Sequence, residues 1–212
     1  MVDSLAHEIA RILLDIQAIG FNPTHPVTFK SGIKSPVYVD NRILPFYPSH
    51  WKTVLAGFQT LIAGKSIEFD VLAGIEAAGI PHSAALGYAM QKPSVFVRKQ
   101  PREHGKQKRI EGGDVENKRV LLLEDLVTTG GSSLSGVIAL REAGAIAVDC
   151  IAIFSYGFDE AISNFVDSGV RLHTLTNFDA VWQVARESNT ISQEVIDAVN
   201  AWHTAPHEWQ TK

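Results

Sequence analysis

Apolar residues along the chain follow two rhythms. At the start, Leu5, Ile9, Ile12, Leu13 and Ile16 recur at the three-to-four spacing that lines one face of a helix, with Asp3 or Ser4 placed to cap its first turn. Similar patterning predicts helices over 50–62, 79–90, 132–144, 161–169, 178–188 and 192–202. Gly79 and Pro81 open the helix at 79, and Gly144 stands where a left-handed residue would close the helix from 132. Between these helices lie short, unbroken apolar runs at 69–75, 94–98, 119–127, 147–156 and 170–177. Such runs suit strands covered on both faces. Strands of this kind alternating with helices predict an α/β fold: a central, mostly parallel sheet flanked by helices.

Two stretches depart from this alternation. Residues 21–42 are rich in Pro, Gly and Ser and hold only two short strand-like pieces, so about 1–45 reads as a separate N-terminal segment of the same domain. Residues of about 99–117 contain almost no apolar side chains but crowd Lys99, Arg102, Lys106, Lys108 and Arg109, with Arg98 just ahead and His104 among them. A connection of that length inside a compact domain is usually functional or disordered. At the other end, 203–212 either frays or is docked by Trp209.

Length and composition narrow the classes. With 212 residues, one domain over 1–212 with elaborations is expected. A formal net charge of -4 argues against a general nucleic-acid surface. No apolar run approaches the ~18 residues of a membrane span, and the first residues carry acids where a secretion signal would carry basic ones. Cys150, the sole cysteine, sits in an apolar run and reads as a core thiol, which points to a reducing, cytoplasmic compartment. His82 and His173 read as structural, and the tryptophans as packing anchors.

The candidate chemistry lies in RVLLLEDLVTTGGSSLSG, residues 119–136. An apolar strand ends in Glu124 and Asp125, and Leu126, Val127, Thr128, Thr129, Gly130, Gly131 and Ser132 lead into a helix. Glycines admit a ligand close to the backbone, and the free N–H groups of a helix start bind phosphate. Two acids would repel phosphate unless they hold something else, and ribose hydroxyls are good donors to carboxylates. A divalent cation could bridge the remainder. The implied ligand is a sugar phosphate. Neither the Walker A string nor a Gly-x-Gly-x-x-Gly after a strand occurs.

The string closely resembles the phosphoribosyl-diphosphate (PRPP) motif of type I phosphoribosyltransferases. Three further stretches resemble the orotate phosphoribosyltransferase family: FKSGIKSPVYVDNR with its Ser-Gly-x-x-Ser-Pro core, GIEAAGIPHSAAL, and VRKQPREHGKQKRIEGG, which looks like a mobile catalytic loop. With the later IFSYGF and LTNFDAV, the resemblance runs through nearly the whole chain. It implies a type I phosphoribosyltransferase fold with an N-terminal hood, transfer of phosphoribose from PRPP to orotate, Mg²⁺ held mainly through PRPP, and a homodimer sharing the loop. It implies PRPP contacts from Arg98, Lys99, Arg102, His104, Glu124 and Asp125 and from Leu126, Val127, Thr128, Thr129, Gly130, Gly131 and Ser132, with Arg102 and His104 catalytic.

For orotate, Lys30, Arg42 and Thr128 are candidates, and Lys30 or Arg42 could equally be ordinary surface cations. Phe29 or Tyr38 could pack on the ring, although core packing is the commoner fate of such residues. Arg102 stands where the family usually has Lys, and Ala78 where some members have Lys. Another acceptor base, or a non-catalytic PRPP-sensing regulator, stays as the alternative.

Overall fold

The start of the first helix and the left-handed Gly144 just past the end of the fourth fall where the sequence places them. The computed structural model describes residues 4–29, 31–100, 108–188 and 191–210. Helix α1 (Leu5–Asp15) starts at Ser4, whose side chain accepts from the His7 N–H, and buries Ile9, Ile12 and Leu13. The N-terminal segment then folds as β1 (Ile19–Phe21), β2 (Val27–Thr28), β3 (Lys34–Ser35) and β4 (Val37–Val39), pairing β1 with β4 and β2 with β3, both antiparallel. That is four short strands where the sequence suggested two. A 3-10 turn (Asn41–Phe46), capped by Asp40, leads into α2 (Pro48–Gly64).

The remaining elements alternate as the apolar runs predict: β5 (Val71–Ile75), α3 (Gly79–Met90), β6 (Ser94–Val97), β7 (Ile110–Glu111), β8 (Arg119–Val127), α4 (Gly131–Glu142), β9 (Ile146–Ser155), α5 (Asp159–Asp167), β10 (Arg171–Asn177), α6 (Phe178–Glu187) and α7 (Gln193–Thr204). The six-stranded sheet runs β10-β9-β8-β5-β6-β7, with only β7 antiparallel to its neighbour. Strand β7 lies inside the connection expected to be structureless. Phe96 faces Glu111 and Val97 faces Ile110, so the basic connection is closed at its base by a two-residue ladder.

Alternate residues of the central strands feed two cores. Leu121, Leu123, Ile151 and Ile153 pack with α1, α2, α6, α7 and the N-terminal segment. Leu122, Cys150 and Ala152 pack with Val137 and Leu140 of α4 and Phe165 of α5. Both sheet faces are therefore covered, which is why the strand sequences lack polar alternation. Cys150 is fully buried, and burial raises its thiol well above the ordinary range. Trp209 packs against the larger core, as one of the two expectations for the C-terminal tail had it. Among the described residues no helix is long and apolar enough to cross a membrane.

The chain order fixes where a ligand can enter. From β5 the chain crosses to β6 on one side, and from β8 it crosses to β9 on the other. In an open sheet the crevice beyond the strand ends at such a reversal is the preferred binding place. Here it lies between the ends of β5 and β8. Glycines make the approach tight: a Cβ on Gly79 would stand 2.5 Å from the Leu123 carbonyl oxygen, and one on Gly74 would stand 2.6 Å from the Gly79 carbonyl oxygen. The start of α3 is thereby pressed onto both strands.

Candidate active site

Pairing between β8 and β5 stops at Leu123, while pairing with β9 continues to Val127. Glu124 and Asp125 thus stand where the sheet opens. Glu124 is 4 % exposed, and its carboxylate accepts from the Asp125 N–H at 3.2 Å and from the Ser133 hydroxyl at 3.4 Å. Burial, then the charge of Asp125, pushes the Glu124 carboxyl up to about 8. Burial raises the Asp125 carboxyl as well, while its contact with Glu124 and, more weakly, the charge of Arg42 favour its ionised form. Burial and mutual charge thus favour a proton on the pair, more strongly on Glu124 than on Asp125. A cation or hydroxyl donors arriving here would relieve two crowded carboxyls.

Past the acids, the backbone turns at Gly130 with φ +85°, in the left-handed region that only glycine enters freely. A side chain there would also meet Phe165, at 2.8 Å from its ring. Helix α4 begins at the next residue, with Gly130 as its cap and no side-chain acceptor on its first N–H groups. Those N–H groups are left for a ligand, and the helix dipole favours an anion.

A cavity of about 520 Å³ opens over this turn. Leu126, Val127, Thr128, Thr129, Gly130, Gly131 and Ser132 line it, together with Arg98 and Lys99. Phe29 and Ser31 close it from the N-terminal segment. Phe29 is also packed against Tyr156, with ring centroids 5.0 Å apart. Tyr38 instead bonds Asp40 through its hydroxyl and is 43 % exposed. Arg42 is absent from the lining: its guanidinium bonds Asp40 twice, at 2.6 and 2.8 Å. Lys30, Arg102 and His104 lie outside the described residues.

Arg109 also lines the cavity, although nothing in its neighbouring residues separates it from the other loop cations. It donates to the Arg98 carbonyl at 2.8 Å and to the Ser135 carbonyl and hydroxyl, each at 3.1 Å. Arg98 donates to Glu111 at 3.0 Å across the β6–β7 ladder. The Glu76 carboxylate, at the end of β5, accepts from the Lys99 N–H at 2.9 Å. Both feet of the basic connection are thus fastened beside the cavity, one to α4 and one to the β5 end.

Comparison with known proteins decides what this crevice belongs to. Residues 51–189 match the model of the phosphoribosyl transferase domain. An orotate phosphoribosyltransferase of Coxiella burnetii is 40 % identical over 205 residues, covering 97 % of this chain and 98 % of its own. One from Listeria monocytogenes is 39 % identical over 206 residues, covering 97 % and 99 %. The chain belongs to the orotate phosphoribosyltransferase family. Among solved structures, Leishmania donovani UMP synthase superposes with a TM-score of 0.80 at 27 % identity, over 94 % of this chain and 42 % of that one. Aeropyrum pernix orotate phosphoribosyltransferase gives 0.75 at 23 % identity, over 84 % and 98 %, a likeness of fold. In this orotate phosphoribosyltransferase family member, the acidic strand end and the glycine turn fall where the sheet order reverses, and the described feet of the basic connection reach the same cavity.

Proposed function

We propose that this protein transfers the 5-phosphoribosyl group of PRPP to orotate, giving orotidine 5′-phosphate and diphosphate, as a step of pyrimidine nucleotide synthesis. The observation that carries this is the junction of β8 and α4: a buried Glu124 beside a half-buried Asp125, their carboxyls crowding each other, followed at once by an uncapped helix start that lines a 520 Å³ cavity. In this reading the 5′-phosphate rests on the N–H groups and hydroxyls of residues 128–132, and Glu124 and Asp125 accept the ribose hydroxyls. The bond from ribose C1 to diphosphate breaks as the orotate ring nitrogen bonds to C1, and the proton that this nitrogen gives up passes to the departing diphosphate or to water. Positive charge grows on the ribose and negative charge on the departing diphosphate. In this reading the negative charge of the acid pair, carried first by Asp125, stabilises the former, and the cations Lys99 and Arg102, with His104, are assigned to the latter.

Among the described residues no group of three or more acids, histidines or cysteines comes together to cage a metal. Glu124 and Asp125 would meet a Mg²⁺ brought in with PRPP, and that ion would offset negative charge on the substrate. Arg109 serves the loop's footing, since its guanidinium is spent on the Arg98 carbonyl and on Ser135, while Arg98 gives one nitrogen to Glu111 and stays a candidate PRPP contact in the cavity lining. Thr128 lies beside the ribose end and can reach the base, with Lys30 or Arg42 as candidates for its carboxylate. A homodimer that shares the loop and a cytoplasmic location complete the proposal.

Incubating purified protein with PRPP, Mg²⁺ and a panel of bases tests it. Loss of orotate absorbance is expected only when PRPP is present. Turnover of a purine or of uracil without orotate turnover would replace the acceptor, and binding of PRPP with no turnover would favour a sensing role.

A further inference from the structure

Asn41 begins the 3-10 turn directly after β4 and is fully buried. Its amide nitrogen donates at 2.8 Å to the main-chain carbonyl of Asp125, 84 residues away. This is a side-chain hydrogen bond from the N-terminal hood to the acidic strand end, made where β5 no longer supports β8. Its other amide atom, Oδ1, is buried without a hydrogen-bond partner. Close by on α3, His82 is also fully buried. Trp51 Nε1–H donates to His82 Nδ1 at 2.9 Å, so the ring proton sits on Nε2. That Nε2 has no partner either, and the Asn41 main chain nearby falls short of a formed bond. Burial holds the ring neutral. The hood therefore meets the catalytic sheet at a buried polar joint with one made bond and a donor and an acceptor still unpaired. Groups of this kind are costly to strand and fix relative position strongly when satisfied.

We propose that Asn41 is a positioning residue that couples the hood to the ribose-binding acids, so that a ligand under the hood and a ribose phosphate at the strand end strengthen each other's binding. The inference rests on the transferase reading above. The hood carries Phe29 and Ser31 to the cavity, and Asn41 ties the same segment to the residue that carries one of the two acids. Any shift of the hood is passed to Asp125 through a bond that both sites share, and such coupling is reciprocal.

The test uses orotate with ribose 5-phosphate, a pair that lacks the diphosphate leaving group and cannot react. Orotate affinity is measured by calorimetry with and without ribose 5-phosphate, on wild type, Asn41→Leu and Asn41→Asp. Wild type should bind orotate several-fold more tightly when ribose 5-phosphate is present, and both variants should lose most of that ratio. The KM for PRPP should rise roughly tenfold, the scale of one lost buried hydrogen bond. Asn41→Asp is isosteric and turns an acceptor toward the Asp125 carbonyl, so it reports on the joint if the leucine variant does not fold. A wild-type ratio of one, or an unchanged ratio in either variant, overturns the proposal. Failure of wild type to turn over orotate would overturn the transferase reading instead, so the two failures are separable.

Discussion

Replacing Glu124 by Gln probes the acid pair most sharply, because the amide imitates the protonated carboxyl and cannot ionise. In the folded protein the Glu124 carboxyl is raised from 4.5 to about 8, first by burial and then by the charge of Asp125. Unfolding releases it to ordinary behaviour. Below pH 4.5 both states hold the proton, and the stability tied to it is fully present. Between 4.5 and 8 the unfolded chain has lost the proton while the folded chain keeps it, so stability falls as pH rises. Above 8 both have lost it, and the curve levels at its lower value. At about 1.4 kcal/mol for each pH unit, the full effect is at most roughly 5 kcal/mol. The group is 4 % exposed, so solvent screens little of it. Urea denaturation of wild type and Glu124→Gln at half-unit steps from pH 4.5 to 8.5, without ligands, measures this directly. The gap in unfolding free energy should widen in favour of the variant by a few kcal/mol across that window, and the difference belongs to the Glu124–Asp125 pair together. Parallel curves would show that the pair is not crowded in the way described.

Three further substitutions address the rest of the site. Gly130→Ala forces an L side chain to φ +85° with its Cβ 2.8 Å from Phe165, and should cost about 1–3 kcal/mol in denaturation together with a higher KM for PRPP. Arg109→Ala removes bonds to the Arg98 carbonyl and to Ser135, and should lower kcat with a stability loss of about 1–2 kcal/mol; unchanged turnover would mean the loop's footing is immaterial. If Arg102 acts only by its charge, Arg102→Lys should keep much of the activity, and Arg102→Ala should lose on the order of 10²–10³ in rate, both read from steady-state kinetics.

The sheet and its helices were legible because the central strands are buried on both faces and several helices, α1, α6 and α7 among them, start at a capping side chain, signals that sit within a few adjacent residues. The acids and the glycine turn were legible for the same reason: Glu124 through Ser132 are continuous in sequence, and the fold only has to aim them. The hood was harder. Its strands are two or three residues long, too short to show a period, and they are pinned by distant groups: Trp202 donates to the Lys34 carbonyl and Tyr156 to the Val37 carbonyl. Likewise Arg109 looked like one loop cation among several until Ser135 and Arg98 came beside it. Asn41 carried no local signal, since its partner is a carbonyl on another element. Arg42 shows the opposite case. Its motif drew attention to it as a base-side cation, and the fold adds what the motif does not show, a guanidinium held by Asp40 two residues before it.

A crystal structure of the protein with PRPP and Mg²⁺ tests the central claim most directly. The ribose hydroxyls should lie against Glu124 and Asp125, with the 5′-phosphate on the N–H groups at the start of α4. Density for the sugar phosphate at any other place, with this crevice filled only by solvent at saturating ligand, would contradict the account.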